Sequence, residues 1–268
     1  MIDTATPLLT TPDKAELYHT ALAMLNRSGV PYMVGGTYAF QYYAGISRTT
    51  KDFDIFVRPQ DVSRVLDVLA RAGFKTEIAF SHWLAKAHHG EKFIDVIYSS
   101  GNGVAEVDDE WLAHAVDEEV LGAPVKLCPP EEMIWSKALI MERERYDGAD
   151  VAHLIRHCAG LLNWERLVRR FGPNWRVLLT HLVLFGFIYP GERALVPSAL
   201  MRDLVNRLLA ELEVPTRDSK VCQGTLLSRA QYLVDVDEWG YEDARIAPRG
   251  SMTAEQIEEW TTAIDKLR

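Results

Sequence analysis

Residues 51–57 read Lys-Asp-Phe-Asp-Ile-Phe-Val and place two carboxylates inside an apolar, strand-like segment. Side chains alternate between the two faces of a strand, so Asp52 and Asp54 are expected on one face and the apolar residues between them on the other. A third acid, Asp95, lies inside another apolar run at residues 93–97. On a neighbouring strand, Asp95 could converge with the first two. The pattern therefore predicts three carboxylates meeting on one face of a β-sheet.

The predicted acid cluster has the composition of a divalent-metal site. Mg²⁺ prefers oxygen ligands, and burying several acids without a cation is unfavourable. We therefore predict Asp52, Asp54 and Asp95 as catalytic ligands of Mg²⁺ or Mn²⁺, with Asp95 also orienting an attacking hydroxyl. Such sites promote in-line transfer of a nucleotidyl group. The alternative is that all three are ordinary strand-end acids that face water.

A glycine turn precedes the first acidic strand. Gly35, Gly36 and Thr37 follow an apolar strand at residues 31–34 and begin a predicted helix. Glycine lets the backbone approach a phosphate closely, and a helix N-terminus favours negative charge. The turn is therefore predicted to bind a nucleoside triphosphate, with the Thr37 hydroxyl as a further donor. The alternative is a plain strand-to-helix turn, since the chain has neither a P-loop nor a Rossmann motif.

The succession of apolar strand, Gly-Gly turn, Asp-x-Asp strand and later Asp resembles the DNA-polymerase-β-type nucleotidyltransferase superfamily, over about residues 30–98. The resemblance implies that Asp52 and Asp54 bind metal, that Asp95 is the third carboxylate, and that the turn lies at the triphosphate. Where the superfamily often has Gly-Ser, residues 36–37 are Gly-Thr, which retains a hydroxyl.

Two further segments resemble one branch of that superfamily, which contains the AbiEii-type toxins of type IV toxin–antitoxin systems and uncharacterised bacterial nucleotidyltransferase-like proteins. The segments are residues 48–51, Arg-Thr-Thr-Lys, and Lys137 with residues 143–150. This resemblance implies nucleotide binding by Arg48, Lys51 and Lys137, and an antitoxin as a partner. The alternative for Lys137 is ion pairing with the acids of residues 143–150.

The chain is expected to fold into two domains of class α+β. A nucleotidyltransferase-like mixed sheet with flanking helices is predicted at 1–128, and a mostly helical domain at 129–268. The remaining predicted strands cover residues 74–80, 83–87 and 92–98. Predicted helices include 15–28, 61–72, 131–145 and 198–212. A second Asp-x-Asp, at residues 235–237, lacks a glycine turn and is not expected to bind metal.

Composition narrows the functional classes. The net charge of −9 disfavours tight nonspecific binding to nucleic acid without excluding a local basic patch. No apolar stretch approaches the roughly 18–20 residues of a membrane span. The first residues lack the features of a secretory signal, and three widely spaced cysteines do not suggest a disulfide framework. These features predict a cytoplasmic protein that does not bind membranes.

The sequence supports three functional hypotheses. The first is an Mg²⁺-dependent nucleotidyltransferase that moves a nucleoside monophosphate from a triphosphate to a hydroxyl acceptor and releases pyrophosphate. Its acceptor could be RNA, a protein or a small molecule. The second is a noncatalytic binding protein with this fold in a toxin–antitoxin-like pair. The third is a structural α+β protein whose acids are incidental.

Overall fold

The computed structural model describes residues 11–215 and 219–263, which form two compact units. The first unit extends to Pro129 and also contains residues from Glu258 onward, and the second unit is Pro130–Ile257. The division of the chain into domains at 1–128 and 129–268 stays a prediction. No helix in the described part of the chain has the length and apolarity needed to cross a lipid bilayer.

The first unit is built around a seven-stranded mixed sheet. Its helices are α1 (Pro12–Ser28), α2 (Gly36–Ala44), α3 (Val62–Arg71) and α4 (Asp109–His114). Its strands are β1 (Met33–Val34), β2 (Asp52–Phe56), β3 (Lys75–Phe80), β4 (Leu84–His89), β5 (Lys92–Ile97), β6 (Val116–Val120) and β7 (Ala123–Leu127). The strand order is β3-β4-β5-β2-β1-β7-β6. β2 pairs with β5 and β1 with β7 in parallel, and the other neighbours are antiparallel.

The central strands of the sheet bury one face. Phe53 and Ile55 of β2 and the neighbouring Ile94 of β5 are at most 1% exposed. Helix α1 covers this face, because the ring of Tyr18 lies 5.0 Å from that of Phe53. Burying each such side chain contributes about 1.5–3 kcal/mol. This apolar packing fixes the strand register and leaves the alternating acids of β2 and β5 on the opposite face.

Local sequence explains where the first helices begin and end. Pro12 is the first residue of α1, a position where proline's missing N–H costs nothing. Gly29 ends α1 at φ +67°, a conformation that glycine adopts readily. Helix α3 is amphipathic and buries Val65 and Leu69 on the side that packs against the sheet.

The second unit is mostly helical. Its helices are α5 (Pro130–Ala138), α6 (Gly148–Cys158), α7 (Trp164–Phe171), α8 (Trp175–Ile188), α9 (Ser198–Leu212) and α10 (Leu233–Asp237), and α11 (Ala254–Thr262) contains the unit boundary. Two short parallel strands, β8 (Val221–Cys222) and β9 (Glu242–Asp243), complete it. The predicted fold class, α+β with a mixed sheet, flanking helices and a following helical part, is confirmed.

The helix predicted over residues 131–145 is wrong. Helix α5 ends at Ala138, and the backbone N–H of Met141 instead donates to Leu227 O at 3.0 Å. Met141 also forms a β-bridge with Tyr146. These tertiary bonds outweigh the helix propensity of a segment rich in Glu and Arg. Arg143 therefore does not share a helix with Lys137.

Two other segments differ from or extend the sequence predictions. Neither a helix nor a strand is predicted between residues 106 and 127, yet helix α4 and strands β6 and β7 lie there. Asp108 caps α4, because its Oδ1 accepts from the backbone N–H of Glu110 at 2.9 Å.

The second Asp-x-Asp, at residues 235–237, lies on the helix α10, where positions two apart do not face each other. The second Asp-x-Asp therefore lacks the strand geometry of the first.

Candidate metal and nucleotide site

The three predicted acids meet on the face of the sheet opposite the buried apolar residues Phe53, Ile55 and Ile94. Asp54 and Asp95 are register partners across the parallel pair β2–β5, and Asp52 is two residues earlier on the same face of β2. One carboxylate oxygen from each lies within 4.8 Å of the others, and all three residues are half-buried. Within residues 11–215 and 219–263, no other three His, Cys, Asp or Glu side chains converge in this way. We call these acids the triad; their role as ligands stays a prediction.

The surroundings of Asp95 perturb the charge of its carboxyl group. Burial raises the pKa of its carboxyl, and the negative charge of Asp52 acts in the same direction. The ammonium of Lys86 opposes both effects, because its Nζ donates to Asp95 Oδ1 at 2.8 Å. The net direction is a raised pKa. A cation bound at the triad would favour the charged form of Asp95.

Asp52 is oriented by Thr50, which lies two residues earlier in the preceding loop. The hydroxyl of Thr50 donates to Asp52 Oδ1 at 2.6 Å and lies 3.1 Å from the Asp52 carbonyl oxygen. This short local bond fixes the carboxylate relative to its own strand. No role for Thr50 is predicted from the sequence, and its position two residues before an acid is the signal that could have indicated one.

The glycine turn lies directly against the triad. The N–H of Gly35 donates to the carbonyl oxygen of Asp54 at 3.1 Å. Gly36 has φ +54°, and a Cβ there would overlap Oδ2 of Asp54 and lie 2.7 Å from its Cγ. At Gly35, a Cβ would overlap the ring of Phe56 and lie 2.6 Å from its Cδ2. Glycine is thus required at both positions by close packing, and at Gly36 also by the backbone conformation.

Helix α2 begins at this turn. Gly36 and Thr37 are its first two residues, and both are half-buried. The first N–H groups of a helix have no partner within the helix, and they carry a partial positive charge. The structure therefore brings helix N–H donors next to the triad, as phosphate binding requires. Phosphate binding by Gly35, Gly36 and Thr37 stays a prediction.

Arg48 and Lys51 lie in the exposed connection between α2 and β2. The guanidinium of Arg48 stacks over the ring of Phe40 at 4.5 Å from its centroid. Lys51 immediately precedes Asp52. Both cations belong to the unit that contains the triad, and nucleotide binding by them stays a prediction.

Lys137 belongs to the second unit, where it forms the ion pairs considered as its alternative role. Its Nζ donates to Asp150 Oδ2 at 2.8 Å and to Asp147 Oδ2 at 3.1 Å. Arg145 also binds Asp147, through two bonds of 2.9 and 2.8 Å. Burial alone would raise the pKa of Asp147, but Arg145 and Lys137 outweigh it and lower that pKa. Nucleotide binding by Lys137 stays a prediction.

A family model described as uncharacterised nucleotidyltransferase matches residues 15–176, more than half of the chain. The chain belongs to this family. The matched residues include the triad, the glycine turn and Lys137. The predicted membership of the nucleotidyltransferase superfamily is confirmed, and the AbiEii-type branch stays a prediction.

Solved nucleotidyltransferase structures are similar to this family member at low identity. The antibiotic-resistance factor ANT(2'')-Ia has 17% identity and a TM-score of 0.47, over 64% of this chain and 98% of that chain. The lincomycin-bound lincosamide adenylyltransferase LnuA has 15% identity and a TM-score of 0.39, over 54% and 96%. An antigenic nucleotidyltransferase-like protein from Paracoccidioides brasiliensis has 16% identity and a TM-score of 0.43, over 69% and 93%. No curated protein matches the chain. At this level of similarity, the substrates of these proteins do not transfer to the chain.

Proposed function

We propose that this protein is a metal-dependent nucleotidyltransferase that transfers a nucleoside monophosphate from a nucleoside triphosphate to a hydroxyl acceptor. Membership of the family supports transferase chemistry in general. The observation that supports the specific proposal most strongly is the convergence of three carboxylates within 4.8 Å beside a glycine turn that opens a helix. A noncatalytic binding protein would not need such a cluster.

The donor set fits a hard divalent cation. All the converging groups are carboxylates, their oxygens are close enough to share an ion, and their partial exposure gives an ion access. Asp52, Asp54 and Asp95 would hold Mg²⁺ or Mn²⁺. When bound, the ion stabilises negative charge on the transferring phosphoryl group and on the leaving pyrophosphate.

Other groups of the chain would bind the triphosphate and activate the acceptor hydroxyl. The backbone N–H groups of Gly36 and Thr37 bind the triphosphate and position its α-phosphorus, while Arg48 and Lys51 neutralise the outer phosphates. Asp95 accepts a hydrogen bond from the acceptor hydroxyl and takes its proton. The acceptor oxygen then bonds to the α-phosphorus as the bond to the bridging oxygen breaks, and pyrophosphate leaves.

The proposed acceptor classes are RNA, proteins and small molecules. The net charge of −9 favours a cationic or neutral acceptor, because binding RNA tightly would require a basic surface. A cytoplasmic location and an antitoxin partner are parts of the same proposal that rest on the sequence.

The proposal is tested by Mg²⁺-dependent stabilisation by nucleotides. A ligand at a hundredfold excess over its Kd adds about 2.7 kcal/mol to stability, which raises the unfolding midpoint by roughly 5–10 °C. We expect at least one nucleoside triphosphate to do so with Mg²⁺, and no shift in the double variant Asp52→Asn, Asp54→Asn. Incubating the protein with α-³²P-labelled triphosphates and cell lysate then identifies the labelled acceptor.

The matched control is Asp117→Asn with Glu119→Gln. These acids have the same i, i+2 spacing on β6 and are exposed at the edge of the sheet. The control variant should respond to nucleotide as the wild type does. A wild type that no triphosphate stabilises, or a triad variant that responds normally, would contradict the proposed function.

A further inference from the structure

Lys86 extends the row of charged residues that crosses the sheet at the triad. Asp54 of β2 is the register partner of Asp95 on β5, and Asp95 is the register partner of Lys86 on β4. Directly opposite residues point to the same face of a sheet. The three side chains therefore lie side by side across three adjacent strands, with Lys86 at one end of the row.

The Lys86 ammonium is held on the triad side although another acid lies opposite it. Glu77 on β3 is also a register partner of Lys86. Nevertheless, Lys86 Nζ binds Asp95 Oδ1 at 2.8 Å, and Glu77 instead pairs with His88 at 3.0 Å. The ammonium also lies 4.5 Å from the ring centroid of Phe93, a cation–π contact. Two contacts thus fix the positive charge of Lys86 at the third carboxylate.

This ammonium offsets part of the repulsion among the triad acids. Its side chain is 26% exposed and that of Asp95 is 14% exposed, so solvent screens their interaction incompletely. An incoming divalent cation would have to share the Asp95 carboxylate with Lys86, and two cations on one carboxylate repel each other. A variant without the ammonium should therefore offer a more negative triad to metal.

We propose that Lys86 is a resident cation of the triad that lowers its affinity for free divalent metal. Lys86 acts through Asp95 and is a positioning residue rather than a catalytic one. The inference rests on the proposed function, since it requires the triad to be the metal site. Its consequence is that metal binds well only together with the negative charge of a triphosphate.

The test is isothermal titration of the full chain with Mn²⁺, without nucleotide and at low ionic strength. Lys86→Met should tighten the Kd for Mn²⁺ by about tenfold, as expected for removing one charge near a divalent ion. Lys86→Gln keeps a hydrogen-bond donor without the charge and should tighten it similarly. Lys86→Arg keeps the charge and should stay within about twofold of the wild type. The tightening should shrink as salt is added.

The chain provides a matched control at the opposite edge of the sheet. Lys126 and Asp117 form a cross-strand pair with the same 2.8 Å separation, between β7 and β6. Lys126→Met should leave the Mn²⁺ affinity unchanged. Asp54→Asn should abolish Mn²⁺ binding, and retained binding would place the metal elsewhere and overturn the inference.

The possible failures are distinguishable. If the wild type binds Mn²⁺ at the triad but Lys86→Met and Lys86→Gln bind it equally or more weakly, Lys86 is only a structural partner of Asp95. If the folded wild type and all variants bind no Mn²⁺ without nucleotide, the inference fails; the proposed function fails with it only if nucleoside triphosphates with Mg²⁺ also leave the unfolding midpoint unchanged. Unfolding midpoints of each variant establish that the comparison is between folded proteins.

Discussion

The triad and the charged cluster of the second unit both bring acids close together, but the two clusters differ in burial and in their cationic partners. In the second unit, Glu131 and Glu132 are 3% and 0% exposed, and the guanidinium of Arg166 binds both of them. Arg170 adds a bond of 2.9 Å to Glu132. In the first unit, the triad acids are half-buried and converge on one another from two strands. The acids of one cluster are sealed by buried guanidinium groups, whereas the triad acids, one of which binds Lys86, stay partly exposed.

This difference bears on how a cluster of acids suited to binding metal is distinguished from a structural one. Burial raises the pKa of Glu132, against the opposing effect of Arg166 and Arg170, and burial raises the pKa of Asp95 against Lys86. The direction of the shift is therefore the same in a sealed cluster and in the triad. Convergence of carboxylate oxygens together with access from solvent separates the two. A perturbed carboxyl is by itself weak evidence of function.

The largest expected effect comes from opening the sealed cluster. Arg166→Met leaves Glu131 without its guanidinium in the interior, and we expect the free energy of unfolding to fall by about 3–5 kcal/mol. Arg156 is the control, because its pair with Glu192 is exposed and Arg156→Met should cost at most about 1 kcal/mol. Urea unfolding measures both. Equal losses in the two variants would show that the cluster is not the buried ion network described above.

Replacing Gly36 by alanine should lower stability less than Arg166→Met does, but it should abolish metal binding at the triad. Gly36 is the first residue of α2 and has φ +54°, and Gly45 directly follows the same helix and has φ +67°. Because L-residues disfavour positive φ, alanine at either position costs about 1–2 kcal/mol of stability. Only at Gly36 would the new Cβ overlap the Asp54 carboxylate; at Gly45 nothing lies within 4 Å. Gly36→Ala should therefore lose Mn²⁺ binding as well, whereas Gly45→Ala should retain it. Calorimetry and thermal unfolding distinguish these outcomes, and loss of metal binding in both variants would remove the special role of Gly36.

The smallest effect concerns the pH dependence of Asp147. Because its folded pKa lies below the ordinary value of 3.8, Asp147 contributes stability that is present above about pH 3.8 and is lost as the pH falls through the folded pKa. The unfolding midpoint of Asp147→Asn should lie below that of the wild type at pH 6, and the gap should close below pH 3.8. The exposed Asp237→Asn should track the wild type throughout. A gap that is constant with pH would assign the loss to packing rather than to the charge of Asp147.

Regular patterns made much of the fold predictable. The helix expected over residues 198–212 has the bounds of α9, and the apolar alternation in residues 51–57 correctly indicated a strand with one buried face. The segment after α5 was not predictable in the same way, since its Met141 bonds to Leu227, more than eighty residues later. Local propensity carries no information about such distant partners.

The sequence alone determined which face of each strand carries the acids, because side chains alternate with a fixed period of two and the apolar residues must be buried. It also determined that a glycine turn would precede them. Only the tertiary structure decided that Asp54 and Asp95 are neighbours, since this requires β5 to pair with β2 although two strands and a helix separate them along the chain. The same strand order decided that Lys86 lies opposite Asp95 and that Gly36 packs on Asp54. Strand order is set by the burial of the whole sheet, which no local pattern contains.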